Sequence, residues 1–220
     1  MTSQNESNTQ EELRRLGLKT LREAVEEWTG EPWPEAALKD ETVTRDDVIG
    51  LQNTLEEAKD EKPLQEYLTK HPALLSTVGF GVEAKWVFPK LKLGEQFVPD
   101  FAVVDVRSSG YKWYLMELES PVARVLTRVG GEPSKEYRHA KQQIDDWRIW
   151  LRANVAYSKE RKYYGLDDTF MGIIVMGRRS ELNISLRDRY RELSIANPTV
   201  MSYDRLLEFA SEKAGWKPKS

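Results

Sequence analysis

Two β-rich runs joined by a short turn, each carrying acids at one end, occupy Phe97–Glu119 and constrain the rest of the chain. The first reads Phe97-Val98-Pro99-Asp100-Phe101-Ala102-Val103-Val104, and Ser108-Ser109-Gly110 follows it. The second reads Trp113-Tyr114-Leu115-Met116-Glu117-Leu118-Glu119. This pattern predicts a β-hairpin. Side chains alternate along a strand, so Glu117 and Glu119 share a face. If Asp100 lies opposite them, three carboxylates meet near the mouth of a sheet. Like charges in a cleft resist joint ionisation, and a hard cation such as Mg²⁺ relieves that repulsion. The pattern therefore points to metal-assisted phosphoryl chemistry. The plainer alternative is three solvent-facing acids on an exposed sheet face. Against it stands the Trp, Tyr, Phe and Val content of the same strands, where an isolated acid needs a partner.

At 220 residues the chain is long enough for one sizeable domain and an appendage. It has no cysteine, which removes disulfides, zinc–thiolate sites and thiol nucleophiles. No apolar run approaches the ~20 residues that cross a bilayer, and the polar start does not read as a signal peptide. The expectation is a soluble cytoplasmic protein with no membrane partner. A net charge of −3 by itself argues against a nucleic-acid binder, but the charge is unevenly spread. Residues 1–62 hold 16 acidic and 8 basic side chains, a balance of −8, which leaves +5 for the remainder. Val122–Lys162 alone has 10 Lys/Arg against 5 Asp/Glu. Such a split permits a basic binding face beside the carboxylates, and equally an ordinary solvated surface.

Along the chain, Met1–Thr9 is polar and expected to be disordered. Leu13, Leu16, Leu21, Val25 and Trp28 predict an amphipathic helix over Gln10–Trp28, broken at Gly30–Pro34. A second helix is expected over Arg45–Lys59. A third starts near Pro63 and ends before Pro72. Strands are expected at Val82–Phe88, Gln96–Val106, Tyr111–Glu119, Thr169–Gly177 and Thr199–Ser202. Helices are expected at Ser134–Asn154, where Ala140, Ile144, Trp147 and Leu151 form a stripe, at Glu181–Ala196 and at Tyr203–Ala214. Trp147 belongs to that stripe and Trp150 lies off it, available for a surface contact. Strands alternating with helices favour an α/β mixed sheet packed between helices.

Pro99-Asp100 followed by a strand ending Glu117-Leu118-Glu119 resembles the PD-(D/E)xK nuclease signature. Further phrases narrow the resemblance to the Shedu anti-phage nuclease family. They are Leu64-Gln65-Glu66-Tyr67-Leu68 with His71-Pro72, Glu117-Leu118-Glu119-Ser120-Pro121, Ala140-Lys141-Gln142-Gln143-Ile144 with Trp147, and Val175-Met176-Gly177-Arg178 before Tyr203-Asp204-Arg205-Leu206-Leu207. The likeness runs over about Asp60–Ala214. It implies a restriction-endonuclease-like mixed sheet flanked by helices over residues 60–220, behind an N-terminal helical extension at 1–59. It also implies Mg²⁺- or Mn²⁺-dependent cutting of DNA in defence against phage. Asp100 and Glu117 would be metal ligands. Glu119 stands where the motif normally has lysine, so it adds a ligand or base and removes a cation that Lys85 or Lys141 would have to replace. Gln143 matches the family's glutamine on the helix after the motif. Glu61 or Glu66 matches an acid that some members add to the metal site.

DNA would be held by its backbone, through Arg124, Arg128, Arg138, Lys141, Arg148 and Arg152. A second candidate patch is Arg178, Arg179, Arg187, Arg189 and Arg191. His139 and His71 carry no expected chemistry, and His71 reads as a helix terminator before Pro72. Self-association through the N-terminal helices is a further expectation. Two other readings stay open. One is a DNA-binding sensor that lost cleavage with the lysine. The other is an interaction module in which the acids only hold structure.

Overall fold

A computed structural model describes residues 42–78, 85–107, 110–181 and 184–216. The helix expected over Gln10–Trp28, the break after it and the Ser108–Ser109 turn lie outside the described residues. Five strands form one sheet in chain order: β1 (Lys85–Pro89), β2 (Phe101–Arg107), β3 (Gly110–Leu118), β4 (Met171–Val175) and β5 (Thr199–Met201). The first three pair antiparallel, whereas β4 and β5 join β3 in parallel. The fold is therefore α/β, a mixed open sheet flanked by helices. The expected hairpin is β2–β3, with Phe101 opposite Met116 and Arg107 opposite Gly110.

Alternation splits each strand between two cores. Ala102, Val104, Trp113, Leu115 and Ile174 face one core, beneath the long helix α3 (Lys135–Ala153). That helix starts at an N-cap where Ser134 Oγ accepts the Tyr137 N–H. It buries Tyr137, Ala140, Ile144, Trp147 and Leu151, the stripe its 3.6-residue period requires. Phe101, Val103, Met116, Leu118 and Val175 face the second core. There they meet α1 (Arg45–Glu57), α2 (Lys62–Lys70), a 3₁₀ turn at Pro72–Thr77 and α6 (Tyr203–Lys213). His71 caps α2, stacks on Tyr67 and binds Asp47 through Nδ1 at 2.8 Å, a structural role.

Three expectations need correction. The strand expected from Gln96 begins at Phe101. Pro99 has no N–H to donate, and a single bridge between Leu93 and Phe97 turns the segment away instead. The helix expected from Glu181 is broken into 3₁₀ turns and becomes α-helical only in α5 (Arg187–Ile195), which has no side-chain cap and buries no residue. Trp150 is a packing residue, edge-on to Tyr157 at 4.8 Å between ring centroids and against Gly94. The short helix α4 (Val155–Glu160), which supplies Tyr157, has no counterpart in the expected elements.

The registers bring one end of every strand to a common edge. Pro89 pairs with Phe101, Phe101 with Met116, Leu118 with Val175, and Val175 with Met201. Lys90, Asp100, Glu117–Glu119, Gly177 and Ser202 therefore follow one another along it. Gly177 closes the row: its φ is +68°, and a Cβ there would lie 2.6 Å from the Ala123 carbonyl oxygen. Gly177→Ala is expected to cost about 1–3 kcal/mol, through the left-handed backbone and the clash. Thermal unfolding checks this, and an unchanged midpoint would contradict it.

Candidate active site

The sheet edge gathers carboxylates from three elements. Asp100 enters on the residue before β2 and is 7% exposed. Its Oδ2 accepts the Leu118 backbone N–H at 2.8 Å, which fixes it across from Glu117. Its Oδ1 accepts from Gln65 Nε2 on α2 and from Lys90 Nζ at 2.6 Å. Lys90 also donates its backbone N–H to the Asp100 carbonyl at 2.9 Å. It holds a φ of +53°, a left-handed conformation rare for a residue with a Cβ. The turn after β1 is thus bent so that one lysine is tied twice to one aspartate.

Glu117 lies on the α3 face and is 9% exposed. Gln143 Nε2 donates to its Oε1 at 2.9 Å, whereas its Oε2 is buried without a hydrogen-bond partner among the described residues. Burial foremost, then the nearby Asp100 charge, push its carboxyl up to about 8. The Gln143 hydrogen bond and Lys90 act in the opposite direction. Glu119 is half-buried, one step past the strand end. Burial, followed by the charges of Glu61, Glu136 and Asp100, raises it to about 7. Its backbone is held at both ends, the N–H by Val175 O at 2.9 Å and the carbonyl by the Tyr203 hydroxyl at 2.8 Å. Tyr203 is buried on α6, and its phenol is raised well above the usual range by burial and then by Asp100, Glu61, Glu119 and Glu117.

The structure thus brings together Asp100, Glu117, Glu119 and Gln143, and of the two extra acids it brings Glu61 rather than Glu66, which is exposed on α2. Lys141 pairs with Asp145 at 2.5 Å instead of with the acids. The side chain of Lys85 lies outside the described residues. The cation beside Asp100 is Lys90. Neither Lys90 nor Gln65 was singled out for this role from sequence. For Lys90 a signal exists: if β1 and β2 pair antiparallel, the first residue after β1 lies beside the residue before β2.

The acids of the site offer hard carboxylate oxygens, the class that Mg²⁺ and Mn²⁺ take. The orphaned Glu117 Oε2 beside Asp100 is the atom a cation would satisfy. As they stand, the described residues contain no group of three acidic or imidazole side chains assembled to hold a metal ion. Both Asp100 oxygens are already engaged. The donor chemistry fits a divalent cation, and its entry requires Asp100 to exchange donors.

The basic residues do not form one stripe. Arg124 pairs with Glu181, whereas Arg128 and Arg138 are exposed and make no ion pair among the described residues. Arg148 binds Asn197 Oδ1 at 2.5 Å and lies over Phe170, at the start of β4 and so toward the opposite sheet edge. Arg152 pairs with Asp168 at 2.8 Å, Arg178 with Asp204 at 2.9 Å and Arg179 with Glu208. Arg189 donates to the Gly130 and Gly131 carbonyls, and Arg187 and Arg191 are exposed. Closer to the acids is a cavity of about 430 Å³ that Lys90 lines together with Lys92, Arg161, Phe88 and Tyr163. None of the described helices is long and apolar enough to cross a membrane.

A family model for the C-terminal region of the Shedu protein SduA matches residues 58–207, which include every strand, the acid row, Gln65, Lys90 and Gln143. No curated protein matches the chain. With more than half its length matched, the chain belongs to the Shedu family.

Proposed function

We propose that this chain is a Mg²⁺- or Mn²⁺-dependent nuclease that hydrolyses phosphodiester bonds of DNA. Membership of the Shedu family supports a role in anti-phage defence, where such an activity belongs. The observation that carries the chemistry is Lys90 Nζ on Asp100 Oδ1, beside a buried glutamate with an unpartnered oxygen. From the turn after β1 it would restore the cation that Glu119 displaces from the motif.

Asp100 and Glu117 would hold the metal, with Glu119 as a further ligand or as the general base, and when bound it would polarise the phosphodiester and make its water more acidic. Gln143 orients the Glu117 carboxylate through Oε1 and leaves Oε2 for the site. Glu119, raised to about 7, changes protonation near neutral pH, the range in which a general base works best. Lys90, half-exposed on the rim, neutralises negative charge developing on the phosphate. Lys92 and Arg161, lining the same cavity, extend that positive field along a DNA backbone without reading its bases. A second reading has one observation in its favour. Both oxygens of Asp100 are engaged, as in a nuclease fold that binds DNA without cutting it.

Incubating the purified full chain with linear and supercoiled DNA in Mg²⁺, Mn²⁺ or EDTA separates these readings. Cutting is expected only with metal. Lys90→Met should slow it by about 10²-fold, the usual effect of removing one charge-stabilising donor, and Lys90→Arg should recover part of the rate. A folded wild type that binds DNA and leaves it intact would establish the sensor reading. One that neither binds nor cuts would leave an interaction module.

A further inference from the structure

The acid row uses nothing of the cavity at the other end of the same edge. That cavity, about 270 Å³, opens beyond the carboxyl ends of β3, β4 and β5, between the loop after Ser120, the Met176–Arg178 turn and the start of α5. Ligands of open α/β sheets characteristically bind outside the carboxyl ends of parallel strands. Here β3, β4 and β5 are the parallel part. The backbone ties the cavity wall to the acids. Gly177 N–H donates to Ser120 O at 3.2 Å, and Glu119 N–H donates to Val175 O at 2.9 Å.

The lining is of two kinds. Leu126, Met176, Leu186 and Tyr190 make an apolar and aromatic wall, whereas Arg124, Arg128 and Arg178 bring three guanidinium groups against one carboxylate, Glu181. Arg124 is engaged by Glu181, and Arg178 by Asp204 through Nε and Nη2. Arg128 has no ion pair among the described residues and stands exposed at the rim. An apolar and aromatic wall beside one guanidinium without an ion pair among the described residues is chemistry that can receive a base and its phosphate: the ring against the wall, the phosphate on the forked N–H donors of Arg128. At about 270 Å³ the volume lies just below the usual range of small-ligand sites, which limits an occupant to one nucleotide at most.

We propose that this cavity is a binding site for one nucleoside monophosphate unit, its base against Leu186 and Tyr190 and its phosphate at Arg128. The unit has two chemical sources, a free mononucleotide or an unstacked nucleotide of a single strand. Only the second rests on the nuclease reading.

Titration calorimetry on the full chain in EDTA tests the site without any dependence on cleavage. The probes are dAMP, deoxyadenosine, inorganic phosphate and a short oligo-dA. Saturable dAMP binding is expected, weakened about tenfold in Arg128→Ala and by a similar factor in Tyr190→Leu. It should be unchanged in Asp100→Ala, which separates this site from the acid row. Far-UV circular dichroism of each variant excludes misfolding, and Arg128→Lys should recover part of the affinity. An oligonucleotide that binds more tightly than dAMP, and is displaced by it, identifies the strand as source; equal affinity identifies the free nucleotide. Absence of dAMP binding overturns the proposal, and so does binding that inorganic phosphate matches or that Arg128→Ala leaves intact. A wild type that binds dAMP but cuts no DNA in Mg²⁺ or Mn²⁺ would remove the nuclease reading and leave this site standing.

Discussion

Glu117→Gln is expected to raise the melting temperature of the metal-free protein near pH 8 while removing metal-dependent DNA cleavage. The two effects have one origin. Glu117 is buried next to Asp100, so ionising it costs desolvation and repulsion together, and its carboxyl is held up to about 8. Glutamine keeps the shape and keeps an oxygen to accept from Gln143, whose bond to Oε1 is 2.9 Å. Its amide N–H₂ replaces the orphaned Oε2, turning a repulsion toward Asp100 into an attraction. For a chain of this size each kcal/mol regained moves the midpoint by roughly 2–4 °C, so a rise of several degrees is within reach. The same substitution deletes a ligand oxygen. Cleavage should fall by at least about 10²-fold, since even residues that only support metal ligands are worth 10–100-fold. Calorimetry and the DNA assay on the same preparation decide the matter. A lower midpoint would make Glu117 a structural acid, and retained cleavage would remove it from the metal site.

Such opposed effects mark residues kept for chemistry at the expense of stability. They also explain why this part of the chain was legible early. Acids at the end of an apolar strand violate the local rule that buried charges need partners, and the violation shows in the sequence itself. The 3.6-residue stripe of α3 was equally plain. Gln143 lies next to Ile144 and three residues from Ala140, at the border of the buried face, where it can reach β3. Periodicity carried no information about Lys90. Its role comes from β1–β2 pairing, which an antiparallel register of the two strands would expose, and from a left-handed turn, which leaves no mark in residue type, since lysine has no preference for that conformation. The segment after Glu181 misled for the opposite reason. Leu186, Tyr190 and Leu193 form a helix-spaced stripe that packs against the core only partly buried, and α5 has no side-chain cap, so the periodicity marks a helix without fixing where it starts. Gln65 lies in the family-like stretch Leu64–Leu68, yet its contact with Asp100 joins residues far apart in the chain, and only the placement of α2 on the sheet reveals it.

Without metal, the protein should lose stability steadily as pH rises from about 5 to 8, and Mn²⁺ should restore it most at the alkaline end. Glu117 goes from an ordinary 4.5 to about 8 on folding, and Glu119 from 4.5 to about 7. Below 4.5 folded and unfolded chains both keep these protons, and the native state has its full advantage. Between 4.5 and 8 the unfolded chain has released protons that the folded chain still holds, so each rise in pH favours unfolding. Above 8 both states are ionised and the trend levels off. Asp100, Glu61 and Glu136 add negative charge to the site and Lys90 offsets part of it, which fixes the sign without reversing it. A divalent cation binds the ionised folded site and competes with those protons, so its stabilising effect should be small near pH 5.5 and larger by several degrees near pH 8.5. Melting curves in EDTA and in Mn²⁺ across that range measure both trends. In Glu117→Gln the alkaline loss should shrink and most of the Mn²⁺ response should vanish with it. A Mn²⁺ shift of equal size at both pH values would mean that the ion binds elsewhere, and the carboxylate row would lose its claim to it.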